Sequence, residues 1–379
     1  MISIDKIDVK NKKVIVRVDY NCQIENDEVV DDSRIKASLE TINYLIKNEA
    51  KIILLSHLKR IKKEEDKIRY TLEPAAKCLS KYVTSSVLFV PKTRGKEVEE
   101  AIANMKNGEI VMLENTRFED LDGNKESSCD EELSKYWSTL GDIFVLDAFA
   151  SSHRNHASTY GISEYIPSYA GILILREKEL LDKVLDEKNK TLIMGGSKVK
   201  DKIGVIDNLL TSCDKLLIGG AMSFTFLKAK GYDVSNYEQE YVDYAKKVLN
   251  EYGEKIILPV DFITETKEIK IEDFKNTDNG YDIGKETIKL FINNLKDSKL
   301  ILWNGPLGKY EEQDYEYGTR EVMEYLHKHK KDETILAGGD ILTSSGMFKL
   351  TFPNISTGGG ATLEYLSGQE FDTFKNLKG

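Results

Sequence analysis

Arginine is scarce in this chain, and its placement is informative. Of 54 basic residues only nine are Arg, and seven of them precede residue 160: Arg17, Arg34, Arg60, Arg69, Arg94, Arg117 and Arg154. Lys is the ordinary solvated cation here. Arg differs from it in offering a planar fork of donors that matches phosphate and carboxylate. Several of these arginines stand in short polar runs that close apolar ones. "VRVDYN" carries Asp19 and Asn21, "DDSRIKA" carries Arg34, "LLSHLKR" carries His57 and Arg60, "MLENTRF" carries Arg117, and "LDAFASSHRNHAS" carries His153, Arg154 and His156. Converging arginines repel one another unless an anion sits among them. A small, multiply charged anion such as a phosphorylated carboxylic acid suits the set.

The second half has a different signature. Gly195-Gly196 is followed by Lys198 and Lys202 in "TLIMGGSKVKDKI", Gly219-Gly220 stand in "KLLIGGAMSFTFLK", and Asn304, Gly305, Pro306 and Gly308 in "LILWNGPLGKYE". Gly338-Gly339-Asp340 follow in "TILAGGDIL", and Gly358 to Gly360 in "NISTGGGATLEYL". Glycine lets backbone approach a ligand, and a helix N-terminus offers free N–H groups to an anion. A single such turn is often only steric; five of them suit a polyphosphate. Lys198 and Lys202 are expected one turn apart on one helix face, each able to reach a phosphate.

Other chemistries fit less well. His153 and His156 are three apart, but no third ligand follows at a suitable spacing, and His327 and His329 lie in a lysine-rich helix. Zinc ligation is therefore disfavoured. There is no GxSxG elbow, no GxxxxGK[ST], no GxGxxG and no HRD or DFG run. A nicotinamide dehydrogenase, the runner-up on these residues alone, is weakened by the missing GxGxxG.

The elements that must position these residues alternate regularly. Strands are expected at "KVIVRVD", "KIILLS", "VLFV", "EIVML" and "IFVLD", then at "TLIM", "KLLIG", "KIILPVD", "KLILW" and "TILA". These are continuous apolar runs, as in strands covered on both faces, with amphipathic helices between them. The fold class expected is α/β, with two Rossmann-like domains, each a parallel sheet flanked by helices, facing a cleft. The domains are placed at residues 1–170 and 188–366. They are joined by a helix within 171–187 whose charged part is "REKELLDKVLDE". In such sheets ligands bind beyond the C-terminal strand ends, where the polar runs fall.

The 379 residues, 40% hydrophobic and 31% charged, fit an ordinary globular protein. A net charge of −10 argues against a nucleic-acid partner. No apolar run reaches membrane-spanning length, the first residues carry no signal-peptide h-region, and the four cysteines form no CxxC pair. A reduced, cytoplasmic location without membrane association is expected.

Taken in order, these motifs identify the chain as similar to the phosphoglycerate kinases over essentially its whole length. The resemblance implies reversible transfer of a phosphoryl group from 1,3-bisphosphoglycerate to ADP, giving 3-phosphoglycerate and ATP, with Mg2+ as cofactor and a monomeric state. It implies that the first domain, completed by the tail 367–379, binds the glycerate substrate, and that the second binds ADP or ATP. Asp19, Asn21, Arg34, His57, Arg60, Arg117 and Arg154 would hold the substrate. Lys198, Lys202, Gly219, Gly220, Asn304, Pro306, Glu311, Gly338, Gly339, Asp340 and Ile341 would bind nucleotide, with Asp340 on the metal. Arg34, Lys198, Gly338 and Gly358 would act at the transferring phosphoryl group. The chain departs from the family pattern at Lys59 and Ile61 (usually Gly and Pro), Lys285 (Pro), Lys309 (Val) and Ile341 (Ser or Thr). The alternatives are a paralogue with altered activity serving as a scaffold, and a related carboxylate kinase.

Overall fold

A computed structural model describes residues 1–379. The chain divides into two compact units, residues 1–179 with 370–379, and residues 180–369. No helix is long and apolar enough to cross a membrane.

The first unit holds a sheet of β1 (Lys13–Val18), β2 (Lys51–Leu55), β3 (Val87–Val90), β4 (Ile110–Leu113), β5 (Ile143–Asp147) and β6 (Ser168–Ala170), in the order β3-β4-β2-β1-β5-β6. All pairings are parallel; at the centre Val14 lies beside Ile52 on one side and Ile143 on the other. Val14, Ile15, Val16 and Val18 are all fully buried, so both faces of β1 are covered. This is the packing a continuous apolar run requires. Helix α1 (Ser33–Lys47) buries Ile35, Ser38, Thr41, Ile42 and Leu45, spaced as one helical face.

The second unit holds β7 (Lys190–Met194), β8 (Lys215–Ile218), β9 (Ile256–Ile257), β10 (Leu300–Asn304), β11 (Thr334–Ala337) and β12 (Asn354–Ser356), in the order β9-β8-β7-β10-β11-β12, again all parallel. The order reverses between β7 and β10, a topological switch point.

The ten expected strands all form, with one change. "KIILPVD" does not run through: Ile256–Ile257 join the parallel sheet, while Asp261–Ile263 pair antiparallel with Glu268–Lys270 and Asp282–Ile283. Pro259 between them has no N–H to continue a ladder. The outermost strands β6 and β12 were not expected. Each has three residues and no apolar run, so neighbours rather than composition make them strands.

Helix α2 (Ile172–Asp186) starts before its charged stretch, taking in the apolar Ile172 to Leu175, and the boundary between the units falls inside it. The C-terminal residues return to the first unit. The Ile2 N–H donates to the Leu377 carbonyl at 2.8 Å, and Phe371 and Phe374 pack on Phe149 with ring centroids 6.0 and 6.1 Å away. Helices α3 (Gly339–Met347) and α4 (Gly360–Leu366) follow β11 and β12.

Candidate active site

Because the strands of each sheet are parallel, their C-terminal ends share one edge, and the expected residues follow those ends. In the first unit one buried side chain ties two of the loops together. The Asn115 amide oxygen accepts the N–H groups of Leu58 and Arg117, both at 3.1 Å, and its nitrogen donates to the carbonyls of Leu58 and Tyr70 at 2.8 and 2.9 Å. The loops that carry His57, Arg60 and Arg117 are thereby held in fixed register. The Tyr20 N–H donates to the Ser56 hydroxyl at 2.8 Å, which joins the loop after β1 to them.

The Asp19 carboxylate, 8% exposed, pairs with the Arg34 guanidinium. Burial opposes its ionisation, but Arg34, His57 and Arg17 outweigh it and hold the carboxyl below its usual range. The Asn21 side-chain oxygen accepts the Lys59 N–H at 2.9 Å, leaving its NH2 group to donate elsewhere. Lys59 adopts a left-handed φ of +53°, a position where the family's Gly would be unstrained.

Arg117 is buried, and one Nη reaches Asp120 at 3.3 Å and Ser127 at 3.1 Å. Its Nε–H is buried and meets no acceptor. Burial lowers its pKa first, with Arg154 and Arg60 pushing the same way against Asp120 and Glu126. The guanidinium stays charged regardless. Three arginines thus stand close enough to repel, and neither Arg60 nor Arg154, both exposed, has a side-chain partner. Burial takes His153 down to about 4 and His156 to about 3, with Arg154 adding in both cases. Both imidazoles are neutral near pH 7, so the 4.0 Å approach of His156 to Glu126 is not an ion pair. No group of three or more His, Cys, Asp or Glu has metal-ligand geometry.

In the second unit a cavity of about 260 Å³ opens at the ends of β7, β10 and β11, lined among others by Gly196, Lys198, Lys202, Asn304, Gly339 and Asp340. Burial lowers the pKa of Lys202, with Asp201 and Asp340 opposing, and its ammonium meets the Asn304 side-chain oxygen. Gly338 caps α3 with φ +111°, and a Cβ there would lie 2.8 Å from the Asn304 nitrogen. A Cβ on Gly195 would stand 2.2 Å from the Pro306 carbonyl oxygen, so the loops after β7 and β10 touch only because no side chain intervenes.

A neighbouring cavity of about 220 Å³ is lined by Gly220, Phe224, Phe262, Tyr281, Pro306 and Glu311, among others. Phe224 stacks on Phe262 at 4.7 Å, giving a flat apolar wall. Gly196 and Asp340 line both cavities, so an apolar, ring-sized space adjoins a cationic, glycine-lined one. That pairing fits a nucleotide.

Some expectations need correction. Lys198 and Lys202 do not share a helix face: Lys198 lies in a loop, residues 200–202 form a single 3-10 turn, and the α-helix begins only at Ile203. Both still line the same cavity. Gly219, Gly358 and Ile341 line neither cavity. Gly219 makes room for Leu307, Gly358 is buried one step behind Gly359 and Gly360, and the Ile341 side chain is fully buried in the core. Arg17, Ser158 and Glu126 have no expected role from the sequence, yet all three are fully buried and linked by hydrogen bonds to His57. An arginine inside the apolar run "KVIVRVD" was a readable signal for the first. Glu126, in the polar run "GNKESSCD", gave none.

Two parallel α/β units, one with unpaired arginines and the other with a glycine-lined cavity beside an apolar one at its strand ends, fit a phosphotransferase. The sequence model of the family described as phosphoglycerate kinase matches residues 4–369, and the chain belongs to that family. It is 44% identical to the phosphoglycerate kinase of Enterococcus faecalis, over 97% of this chain and 96% of that one. It is 43% identical to a Staphylococcus aureus phosphoglycerate kinase, over 99% and 98%. Solved structures of phosphoglycerate kinases from Coxiella burnetii and Pyrococcus horikoshii superpose with TM-scores of 0.87 at 33% and 30% identity; they cover 99% and 100% of this chain, and 98% of each solved chain is covered. The reaction is the family's phosphoryl transfer between 1,3-bisphosphoglycerate and ADP, as in glycolysis.

Proposed function

We propose that the first unit holds 3-phosphoglycerate or 1,3-bisphosphoglycerate on Asp19, Asn21, Arg34, His57, Arg60, Arg117 and Arg154, and that the second holds the nucleotide. The observation that carries this is Arg117, whose buried Nε–H lacks an acceptor beside two further unpaired arginines. A buried donor without a partner costs about 1–3 kcal/mol, and a phosphate oxygen removes that cost.

In the second unit the triphosphate lies along the glycine-lined cavity, on Lys198, Lys202, Asn304 and the N–H groups of Gly338, Gly339 and Ile341, with the base and ribose among Gly220, Pro306 and Glu311. Asp340 is exposed at this cavity and its carboxylate has no protein partner, so it suits a magnesium ion otherwise held by phosphate oxygens. Bound there, Mg2+ would neutralise phosphate charge. Arg34 and Lys198 stabilise the transferring phosphoryl group, with backbone N–H groups near Gly338 and Gly358. Phosphoryl transfer depends on alignment and charge neutralisation, and both acceptors, a carboxylate and an ADP oxygen, are already ionised. No general base is required.

The acyl phosphate must be shielded from water, which assigns α2 the role of hinge for domain closure. The protein works as a cytoplasmic monomer without nucleic-acid or membrane partners. A coupled assay with Mg-ATP and 3-phosphoglycerate tests the reading. Lys198→Ala and Arg34→Ala should each lower kcat by at least 100-fold; unchanged turnover in both would overturn the assigned roles.

A further inference from the structure

Behind the anion site runs a chain of hydrogen bonds whose directions are fixed by chemistry. Glu126, Ser158 and Arg17 are each fully buried. Arg17 has donors only, so its Nε–H donates to the Ser158 hydroxyl, 2.7 Å away. The single Ser158 hydroxyl proton must then go to Glu126 Oε1 at 2.5 Å, while the Ser158 backbone N–H donates to Oε2 at 3.0 Å. Both Glu126 oxygens accept, as in a carboxylate; burial pushes its pKa up, and the Arg17 charge and the two Ser158 donors oppose that rise. At the other end Arg17 Nη2 lies 3.1 Å from His57 Nδ1. Since Arg17 can only donate, Nδ1 must accept, and the imidazole carries its one proton on Nε2. The remaining Nη1 donates to the Val18 carbonyl, so the guanidinium is anchored on both sides of that contact.

We propose that Glu126 is a positioning residue for the anion site: through Ser158 and Arg17 it holds His57 as the neutral tautomer that donates from Nε2. The inference rests on the reading of His57 as a substrate contact. An imidazole free to exchange tautomers would present a lone pair to an anion part of the time, and a lone pair repels it. Glu126 removes that state without touching the ligand. It also balances the charge of Arg17 beneath a surface already carrying Arg60, Arg117 and Arg154. Arg17 sets the tautomer directly, and Glu126 acts by holding the guanidinium against Nδ1; a merely structural Glu126 could be neutralised without moving Arg17 off His57.

Glu126→Gln is the test. Its NH2 group must face either the Ser158 N–H, where the contact is lost, or the Ser158 hydroxyl, which must then accept where it had donated; either way the fixed order of donors and acceptors is broken. In the full-length parent, long-range proton–nitrogen NMR of the five histidines should show His57 as one neutral tautomer, protonated on Nε2. In Glu126→Gln that signal should shift toward a mixture of tautomers. KM for 3-phosphoglycerate should rise at least fivefold, while KM for ATP stays within twofold. Ser158→Ala, which cuts the same link at a smaller side chain, carries the test if the glutamine variant does not fold. The double variant should be no worse than the worse single one. A single Nε2-protonated tautomer surviving in folded Glu126→Gln or Ser158→Ala overturns the proposal, as do equal changes in both KM values or multiplicative effects. Arg154→Ala serves as the control for the site itself: unaltered 3-phosphoglycerate affinity there would sink the substrate-site reading, while the tautomer measurement would still decide the role of Glu126.

Discussion

The Lys309 ammonium lies 4.3 Å from the centroid of the Tyr281 ring, at the mouth of the apolar cavity in the second unit. The same two residues share a backbone hydrogen bond, Lys309 N–H to Tyr281 carbonyl, at 2.9 Å. Tyr281 in turn packs on Tyr315 at 4.8 Å and donates its hydroxyl to Glu265. Lys309 stands where the family resemblance implies Val, and it sets a cation, 3.6 Å from Glu312, beside the cavity proposed for the nucleotide. Lys309→Val should lower stability by about 0.5–1 kcal/mol. It should also raise KM for ATP two- to threefold at low salt, with the difference fading at high salt as screening removes long-range attraction. Steady-state kinetics at two ionic strengths checks this.

Lys59 holds a left-handed backbone at φ +53° while its N–H bonds to Asn21. For a residue with a Cβ that conformation costs roughly 1–2 kcal/mol, against about 0.5–1 kcal/mol of extra chain entropy for glycine. Lys59→Gly keeps the N–H and should therefore stabilise the fold by up to about 1 kcal/mol. Urea denaturation reads the change directly; a clear loss of stability would show that the Lys59 side chain contributes more than its backbone costs.

Ile341 was expected at the phosphate turn as a lost hydroxyl, but its side chain is wholly enclosed in the core. Ile341→Thr should cost about 1–3 kcal/mol by removing apolar contact and burying a hydroxyl. Nucleotide affinity should not improve. Tighter ATP binding in that variant, measured by calorimetry, would mean the hydroxyl reaches the ligand after all.

The Asp282 carboxyl, 2% exposed, is pushed up to about 7 by burial, with the N–H groups of Gly318 and Ile283 opposing. Between an unfolded value near 4 and a folded value near 7, the native state binds the extra proton, so this group's contribution to stability falls as pH rises through that window. Asp282→Asn has nothing to ionise. Relative to the parent it should gain stability between pH 4 and pH 8, on the order of 4 kcal/mol. Denaturation curves across that range give the difference; a parallel pair of pH profiles would refute it.

The ten expected strands were legible because a buried parallel strand is apolar along its length, and ten such runs are written in the chain, although only Ile256–Ile257 of one of them join the parallel sheet. The edge strands β6 and β12 were not, since three residues carry no period of their own. The break inside "KIILPVD" turned on Pro259, whose missing N–H matters only once the neighbouring ladder is known. At the site, Arg60, Arg117, Lys202, Asn304 and Asp340 could be picked out because charge and amide groups directly after an apolar strand fall at the ligand-binding edge of any such sheet. Gly219, Gly358 and Ile341 looked equivalent to their neighbours, but one residue's shift along a turn moves the backbone of a glycine, or the side chain of Ile341, from the cavity to the interior.

By itself the sequence determined which residue types stand at each strand end, and so the class of ligand, because those types are fixed by the chemistry of anions. Only the tertiary structure decided which nitrogen of His57 carries the proton and what lies behind it. Glu126, Ser158, Arg17 and His57 are far apart in the chain. Their hydrogen bonds acquire direction only when folding brings a residue that can only donate against groups that can accept.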